Sequence, residues 1–239
     1  MGRLILVRHA QASFLSPNYD QLSLLGQTQA RLLGEYWARR RMTFDRVYCG
    51  PAVRHRQTTE GVAGYYRESG LPFAEPAPAP EFDEFPGEAV LAASLPQLCK
   101  SRDHVRALSH AFERSQNDLE KRLHFQRLFE AVISAWINGE VAVPNVESWQ
   151  QFCKRVNRGL SALLDGGTKG EVVLIFTSGG PIGVAVQRAL HLSAQYTLQV
   201  SWMSRNCSLT EFLFSRERFT LSSFNAFPHL GEEALLTYR

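Results

Sequence analysis

The sequence predicts a layered α/β fold with a largely parallel central sheet. Segments rich in strand-forming residues alternate with segments whose apolar residues recur at helical spacing. The first segment, Leu4–Val7, is a continuous apolar run, which is typical of a strand buried on both faces of a parallel sheet. It ends in Arg8-His9, and open α/β sheets place their ligand sites at the carboxyl ends of strands.

Further elements are expected at intervals along the chain. Strands are predicted at Leu4–Val7, Arg46–Cys49, Glu171–Thr177, Leu209–Phe214 and Phe219–Phe224. Helices are predicted from Ser23 to about Arg40, from Pro51 through Arg54, from Asn145 to Gly166-Gly167, and from Pro181 to Leu190. The helix starts rest on residue types that cap helices or fit their first turn, and the third helix ends on two glycines.

Two segments interrupt this alternation. The stretch from Pro72 to Pro86 is rich in proline and is predicted to be a loop. The stretch from Leu91 to Trp136 has helical spacing and no strand pattern. We therefore expect residues 1–239 to form a single domain with a helical cap insertion at about 88–140.

The composition is that of a globular protein without a nucleic-acid or membrane partner. Of 239 residues, 44% are hydrophobic and 21% are charged, which is enough apolar material for one sizeable core. The net charge is +3 and no long block of lysine and arginine occurs, so nucleic acid is not expected as a partner. No apolar run approaches the roughly 20 residues that span a bilayer, so no membrane association is expected.

The cysteines and the amino terminus predict a cytoplasmic protein with no metal site and no cofactor. The four cysteines are scattered and lack metal-ligand spacing: Cys49, Cys99, Cys153 and Cys207. We interpret them as reduced thiols. Only Leu4–Val7 separates Arg3 from Arg8, and this apolar run is too short for a signal peptide.

Several groups that suit phosphate chemistry follow predicted strands or lie in tight turns. Arg8 and His9 follow the first strand, and Arg54 lies in the first turns of the helix after the second strand. Glu84 lies in the turn Phe82–Gly87, where burial between phenylalanines would favour the protonated acid. The simpler interpretations are a solvated helix arginine and a solvated acidic loop.

A further strand ends in Ser178-Gly179 and opens a helix, whose first N–H groups favour an anion. The alternative is a tight strand-to-helix turn without a ligand. Two arginines, a histidine, a carboxylate and two such turns together indicate phosphoryl transfer to a histidine. In that chemistry His9 attacks phosphorus, the arginines neutralise phosphoryl oxygens, and Glu84 protonates the leaving oxygen. No metal is required.

These motifs resemble the histidine phosphatase superfamily, also called phosphoglycerate mutase-like. They occur in order over nearly the whole chain: Leu6–Gln11 (LVRHAQ), Leu22–Ala30 (LSLLGQTQA), Gly50–Thr58 (GPAVRHRQT), Phe82–Gly87 (FDEFPG), Glu147–Val156 and Asn225–Leu230 (NAFPHL). The resemblance implies a three-layer α/β/α sandwich with a largely parallel central sheet and a helical cap insertion.

The resemblance also implies roles for individual residues. His9 is the expected nucleophile, and Glu84 is the expected general acid. The residues expected to bind phosphate or the leaving group are Arg8, Arg54, Ser178, Gly179, Gln11 and Ser13.

The chain departs from the family pattern at two positions. Ala10 stands where the family has glycine, and its methyl group is tolerated if φ is negative. Ser178 stands where the family has a second histidine. A serine hydroxyl is shorter and neutral, and losing one preorganised donor would cost about 3 kcal/mol, or ~10²-fold in rate. His55 is a candidate for supplying the compensating charge.

We therefore expect a phosphomonoester hydrolase that acts through a phosphohistidine on His9, with a small phosphate ester or a phosphorylated protein as substrate. One alternative is a catalytically weak or inactive phospho-ligand-binding protein of the same fold, because Ser178 replaces the histidine. Another is a sugar-phosphate mutase, which must keep water away from its intermediate. The survival of the nucleophile, both arginines and Glu84 favours the hydrolase. The sequence leaves the substrate and the oligomeric state open.

Overall fold

The fold is built on one mixed sheet in a computed structural model that describes residues 1–13, 20–165 and 167–238. Its strands in these ranges are β1 (Gly2–Arg8), β2 (Arg46–Cys49), β3 (Pro76–Pro78), β4 (Val172–Thr177), β5 (Leu209–Phe214) and β6 (Phe219–Ala226). They are arranged in the order β3-β2-β4-β1-β5-β6. The pairs β3/β2, β2/β4 and β4/β1 are parallel, whereas β5 is antiparallel to β1 and β6.

Helices separate most of the strands along the chain. In the described residues they are α1 (Leu24–Arg39), α2 (Val53–Glu68), α3 (Gly87–Ser101), α4 (Asp103–Glu113), α5 (Asp118–Ile137), α6 (Trp149–Asp165), α7 (Gly179–Leu190) and α8 (Ala194–Met203). The predicted α/β class and mostly parallel sheet are therefore confirmed. The sequence patterns did not predict α8.

The two central strands form the most buried part of the sheet. Residues Leu4–Val7 of β1 are at most 1% exposed, and so are residues 173–176 of β4. Strands covered on both faces lose all water contact, so continuous apolar runs suit them better than alternating patterns. The parallel pairing of β1 with β4 places their ends side by side, and polar residues follow there.

Helix starts were predicted with mixed success. Ser23 caps α1 as expected, since its hydroxyl accepts a hydrogen bond from the N–H of Gly26 at 3.0 Å. The prediction that Pro51 lies in the first turn of α2 is wrong, because the helix begins at Val53.

The predicted start of α6 at Asn145 is also wrong. Asn145 has φ of 60° and lies outside the helix. Ser148 and Gln151 instead bond reciprocally, the Gln151 N–H to the Ser148 hydroxyl at 3.2 Å and the Ser148 N–H to the Gln151 side chain at 2.6 Å. Gly166, predicted to help end this helix, lies outside the described residues.

The proline-rich stretch is more ordered than the predicted loop. It contains β3 and a short 3₁₀ turn at Pro80–Phe82. The N–H of Ala79 donates to the carbonyl of Cys49 at 2.9 Å, which continues the pairing with β2. Proline is compatible with this position because β3 is an edge strand and needs N–H donors on one side only.

The chain divides into two compact units, residues 1–84 with 155–239, and residues 85–154. The first unit holds the sheet. The second is helical, and its buried aromatic residues pack together, with ring centroids 5.7 Å apart for Phe85 and Phe152 and 5.9 Å apart for Trp136 and Trp149. That residues about 88–140 act as a cap within a single domain stays a prediction.

Candidate active site

The candidate site lies where three parallel strands end at one edge of the sheet. Arg8 ends β1 and pairs in register with Thr177, which ends β4. The N–H of His9 then donates to the carbonyl of Thr177 at 2.8 Å. The fold thus places the residues after β1 beside Ser178, which follows β4, at the position where α/β sheets bind ligands.

The imidazole of His9 is held in one tautomer. Its Nδ1 lies 2.8 Å from the carbonyl oxygen of Ala10. A carbonyl oxygen only accepts hydrogen bonds, so Nδ1 carries the proton and Nε2 carries the lone pair. Burial lowers the pKa of His9 well below its ordinary value, and the positive charges of Arg54 and Arg8 lower it further. His9 is therefore neutral at neutral pH, the state in which an imidazole can act as a nucleophile.

Ala10 fits its position without strain. It is fully buried and is not among the described non-glycine residues with positive φ. The N–H of Ala10 donates to the Thr58 hydroxyl of α2 at 3.0 Å. The condition under which alanine can replace the family glycine is therefore met.

The two arginines reach the site from different elements and are anchored differently. Arg8 is buried, and its Nη1 donates to the carbonyl of Ser204 at the carboxyl end of α8. Arg54 lies in the first turn of α2 with its side chain only 14% exposed. Its Nη1 donates to Asp20 Oδ1 at 2.6 Å. Arg54 is therefore not a solvated helix arginine, and both positive charges act on His9.

Asp20 is a polar partner that the sequence patterns did not single out. Its second oxygen accepts from the N–H of Val53 at 2.7 Å, so the carboxylate also caps α2. Only the fold brings it to this helix, 33 positions further along the chain. Asp20 holds the guanidinium of Arg54 and the amino terminus of α2 together.

Ser178 is coupled to a second histidine that comes from α2. Its Oγ lies 2.6 Å from Nε2 of His55 and accepts from Nη2 of Arg54 at 3.3 Å. Ser178 and His55 are fully buried, and the ring of His55 lies 5.8 Å from that of His9, centroid to centroid. Burial and then the charge of Arg54 lower the pKa of His55 well below its ordinary value. His55 is thus neutral in the absence of a bound anion.

The side chain of Glu84 reaches from the loop before α3 to the start of α7, close to Ser178. Its Oε2 accepts from the N–H of Gly180 at 3.2 Å. The preceding loop is fastened to β4, because the Thr177 hydroxyl donates to the carbonyl of Phe82 at 2.6 Å. The half-buried carboxyl group of Glu84 is therefore fixed close to the strand ends.

A comparison with models of protein families identifies the family of this chain. A model of the histidine phosphatase superfamily (branch 1) matches residues 4–84 and 105–226, which is most of the chain. The chain belongs to this superfamily. The matched range 4–84 contains Arg8, His9, Arg54 and Glu84, for which the sequence predicts catalytic or phosphate-binding roles. Superfamily membership supports a function of the phosphatase type.

Solved structures share this histidine phosphatase fold at low sequence identity. A phosphoserine phosphatase from Entamoeba histolytica, solved with phosphoserine, is 18% identical, covers 96% of this chain and 100% of its own, and has a TM-score of 0.61. An alpha-ribazole phosphatase from Shigella flexneri is 19% identical over 94% and 96% of the two chains, with a TM-score of 0.59.

A mycobacterial glucosyl-3-phosphoglycerate phosphatase, solved with inorganic phosphate, is 18% identical. It covers 95% of this chain and 98% of its own, and has a TM-score of 0.57. At these identities the likeness supports the fold alone. No curated protein matches the chain.

The remaining predicted site residues make contacts farther from His9. Gly179 is buried in the first turn of α7. The Gln11 side chain accepts from the Ser23 hydroxyl at 2.7 Å, at the start of α1. The N–H of Ser13 donates to the carbonyl of Gln21 at 2.8 Å. The structure brings Arg54, His55 and Ser178 into contact beside His9, whereas phosphate contacts of Gln11, Ser13 and Gly179 stay predictions.

Two properties of the described residues concern metals and membranes. No cluster of three or more histidine, cysteine, aspartate or glutamate side chains in them is arranged to hold a metal ion. None of their helices is both long and apolar enough to cross a membrane.

Proposed function

We propose that this protein is a phosphomonoester hydrolase that forms a phosphohistidine on His9. The observation that carries the proposal is the hydrogen bond from His9 Nδ1 to its own chain, which leaves a neutral Nε2 in the field of two arginines. A lone pair beside two positive charges is suited to attack the phosphorus of an anionic ester.

The first step transfers the phosphoryl group to the enzyme. Nε2 of His9 attacks phosphorus, so that a P–N bond forms as the ester P–O bond breaks. Arg8 and Arg54 neutralise the oxygens of the phosphoryl group. Glu84 in its acid form gives a proton to the leaving oxygen, and the alcohol departs.

The second step returns the enzyme to its starting state. Glu84, now a carboxylate, takes a proton from water as the water oxygen attacks phosphorus and the P–N bond breaks. Inorganic phosphate is released with His9 neutral again. No step in this proposal uses a metal ion or an organic cofactor.

The substrate class is a phosphate monoester, either a small molecule or a phosphorylated protein. Phosphoserine and inorganic phosphate occupy structures that share this fold. A weak or inactive phospho-ligand binder is the second candidate, and the neutral hydroxyl of Ser178 near the nucleophile favours it.

The test is hydrolysis of p-nitrophenyl phosphate between pH 5 and pH 8. We expect turnover in the parent and in His110→Ala, a control at an exposed histidine of α4, and none in His9→Ala. We also expect an acid-labile phosphoenzyme in the parent and activity that persists with a chelator. Turnover that survives in His9→Ala would overturn the mechanism. Absent turnover with vanadate still bound would favour the phospho-ligand binder.

A further inference from the structure

The hydroxyl of Ser178 lies between two nitrogen groups of α2. Nε2 of His55 is 2.6 Å from Oγ, and Nη2 of Arg54 is 3.3 Å from the same atom. All three residues belong to the compact unit that contains the sheet. Ser178 and His55 are fully buried, so protein groups decide where the hydroxyl proton points.

Counting protons and lone pairs limits the possible arrangements. A serine hydroxyl has one proton to donate and two lone pairs to accept with. The guanidinium of Arg54 only donates, so it occupies one lone pair of Ser178. What remains is one proton and one lone pair, and the tautomer of His55 determines which of them faces Nε2.

Each tautomer gives Ser178 a different function. If Nε2 of His55 has no proton, the Ser178 hydroxyl donates to it and has no proton left for a ligand. If Nε2 carries a proton, it donates to Oγ, and the hydroxyl proton is directed elsewhere. Phosphoryl oxygens accept hydrogen bonds, so only the second arrangement lets Ser178 bind them.

We propose that His55 is a positioning residue that donates its Nε2–H to Ser178 and thereby turns the serine hydroxyl towards the phosphoryl group on its way to His9. This inference rests on the proposed function. Its geometric basis is the chain of contacts from His55 to Ser178, together with the 5.8 Å separation of the His55 and His9 rings.

The arrangement also explains why a neutral serine can stand at this position. Ser178 accepts from two donors at once, and this polarises its O–H bond and strengthens the hydrogen bond that it donates. A negative phosphoryl group stabilises positive charge nearby, so its arrival favours a proton on Nε2 of His55. The donor thus forms when its acceptor is present.

The decisive experiment is a double-mutant cycle on the full chain with p-nitrophenyl phosphate. His55→Leu removes the donor, whereas His55→Gln keeps an N–H near the position of Nε2. We expect Ser178→Ala and His55→Leu each to lower kcat by about 10²-fold with little change in KM, because the contact strengthens in the transition state. His55→Gln should retain kcat within about tenfold of the parent.

Combination with Ser178→Ala separates positioning from a structural role. In that background we expect His55→Leu and His55→Gln to have the same kcat, because the hydroxyl on which His55 acts is gone. The proposal would be overturned if the losses of kcat from Ser178→Ala and His55→Leu multiplied in the double variant. It would also be overturned if His55→Leu alone kept the parental kcat. Thermal midpoints of all variants report folding separately.

A second measurement uses the parent alone and does not depend on turnover. Nitrogen-15 shifts of labelled histidines show which ring nitrogen of His55 carries a proton when vanadate is bound. We expect a proton on Nε2, and a bare Nε2 in the vanadate complex would overturn the proposal. If the parent binds vanadate but has no turnover, the proposed function fails while this measurement still decides the role of His55. If vanadate does not bind, both proposals fail.

Discussion

Asp20 places a negative charge on the same guanidinium that we propose binds phosphate. Its carboxylate lies 2.6 Å from Nη1 of Arg54 and also caps α2 through Val53. An incoming phosphoryl group meets a positive charge that is already partly neutralised. Asp20 therefore has opposing effects, because it orients Arg54 and repels the anion that Arg54 would bind.

Substitution Asp20→Asn separates these two effects. Asparagine retains an oxygen that can cap α2 but removes the negative charge. We expect vanadate to bind about threefold more tightly, because a partly exposed ion pair contributes about 0.5–1 kcal/mol. Calorimetric titration of vanadate into both proteins measures the change.

The matched control for that prediction is Arg54→Ala, which should weaken vanadate binding. A weaker affinity in Asp20→Asn would mean that orientation of Arg54 outweighs repulsion. An affinity unchanged in Arg54→Ala would remove Arg54 from the phosphate site.

Predictability of the site residues depended on how near they lie to strand ends. Arg8, His9 and Ser178 follow strands β1 and β4, so parallel pairing of those strands was sufficient to bring them together. The contact between His55 and Ser178 spans 123 positions and depends on the direction of a side chain from α2. Sequence motifs identified His55 as a neighbour of Arg54 and a candidate for compensating charge, but they did not predict its contact with Ser178.

At the scale of elements, the start of α7 and the end of α8 are packed so closely that position 179 requires glycine. A Cβ atom on Gly179 would lie 2.7 Å from the carbonyl oxygen of Ser201 in α8. The same helix provides, at its end, the Ser204 carbonyl that accepts from Arg8. The spacing of α7 and α8 thus affects the position of Arg8, a proposed phosphate-binding residue.

Substitution Gly179→Ala tests this packing. The added methyl group must push α8 away from α7, and we expect a destabilisation of about 1–3 kcal/mol. We also expect weaker vanadate binding, since Arg8 loses its fixed anchor. Denaturant unfolding and vanadate titration measure the two effects.

Gly64 of α2 provides the comparison, because a Cβ there would meet only the end of the Arg67 side chain at 3.8 Å. Gly64→Ala should therefore stabilise the protein by about 1 kcal/mol through helix propensity. A Gly179→Ala protein as stable as Gly64→Ala would contradict the packing argument.

Element types were easier to predict than element boundaries. Leu4–Val7 and the β4 run are strongly apolar, so burial decided their conformation. Asn145 and Ser148 are both good helix caps, and only the reciprocal bond of Ser148 with Gln151 selects the second. Local composition disfavoured β3, whose pairing with β2 is a tertiary contact.

At the scale of the whole molecule, three buried histidines make stability depend on acidity. Burial lowers the pKa of His229 to about 4 and the pKa values of His9 and His55 well below their ordinary range. In the unfolded chain these imidazoles titrate near pH 6.5. Below that pH the unfolded state binds more protons than the folded state, which favours unfolding.

We therefore expect the free energy of unfolding to vary little between about pH 7 and pH 8 and to fall as the pH drops below 6.5. His229 alone accounts for roughly 3 kcal/mol between pH 6.5 and pH 4, and the other two histidines extend the loss to lower pH. Urea unfolding at pH 7, 6 and 5 measures the slope of the free energy of unfolding against pH.

His229→Leu should have a shallower pH dependence than the parent, whatever its stability at pH 7. The exposed His110 serves as a control, because His110→Ala should keep the parental slope. A parental slope in His229→Leu would show that His229 is not the group that titrates.

The prolines of β3 affect how this protein behaves at high concentration. Along a strand, successive N–H groups point to opposite sides, and Ala79 uses its N–H towards β2. The N–H groups directed away from β2 would belong to Pro76 and Pro78, which have none. A strand from another molecule that paired with β3 would therefore lack hydrogen-bond donors at these two positions. The β3 edge is thereby protected from intermolecular strand addition, and with it from one common start of aggregation.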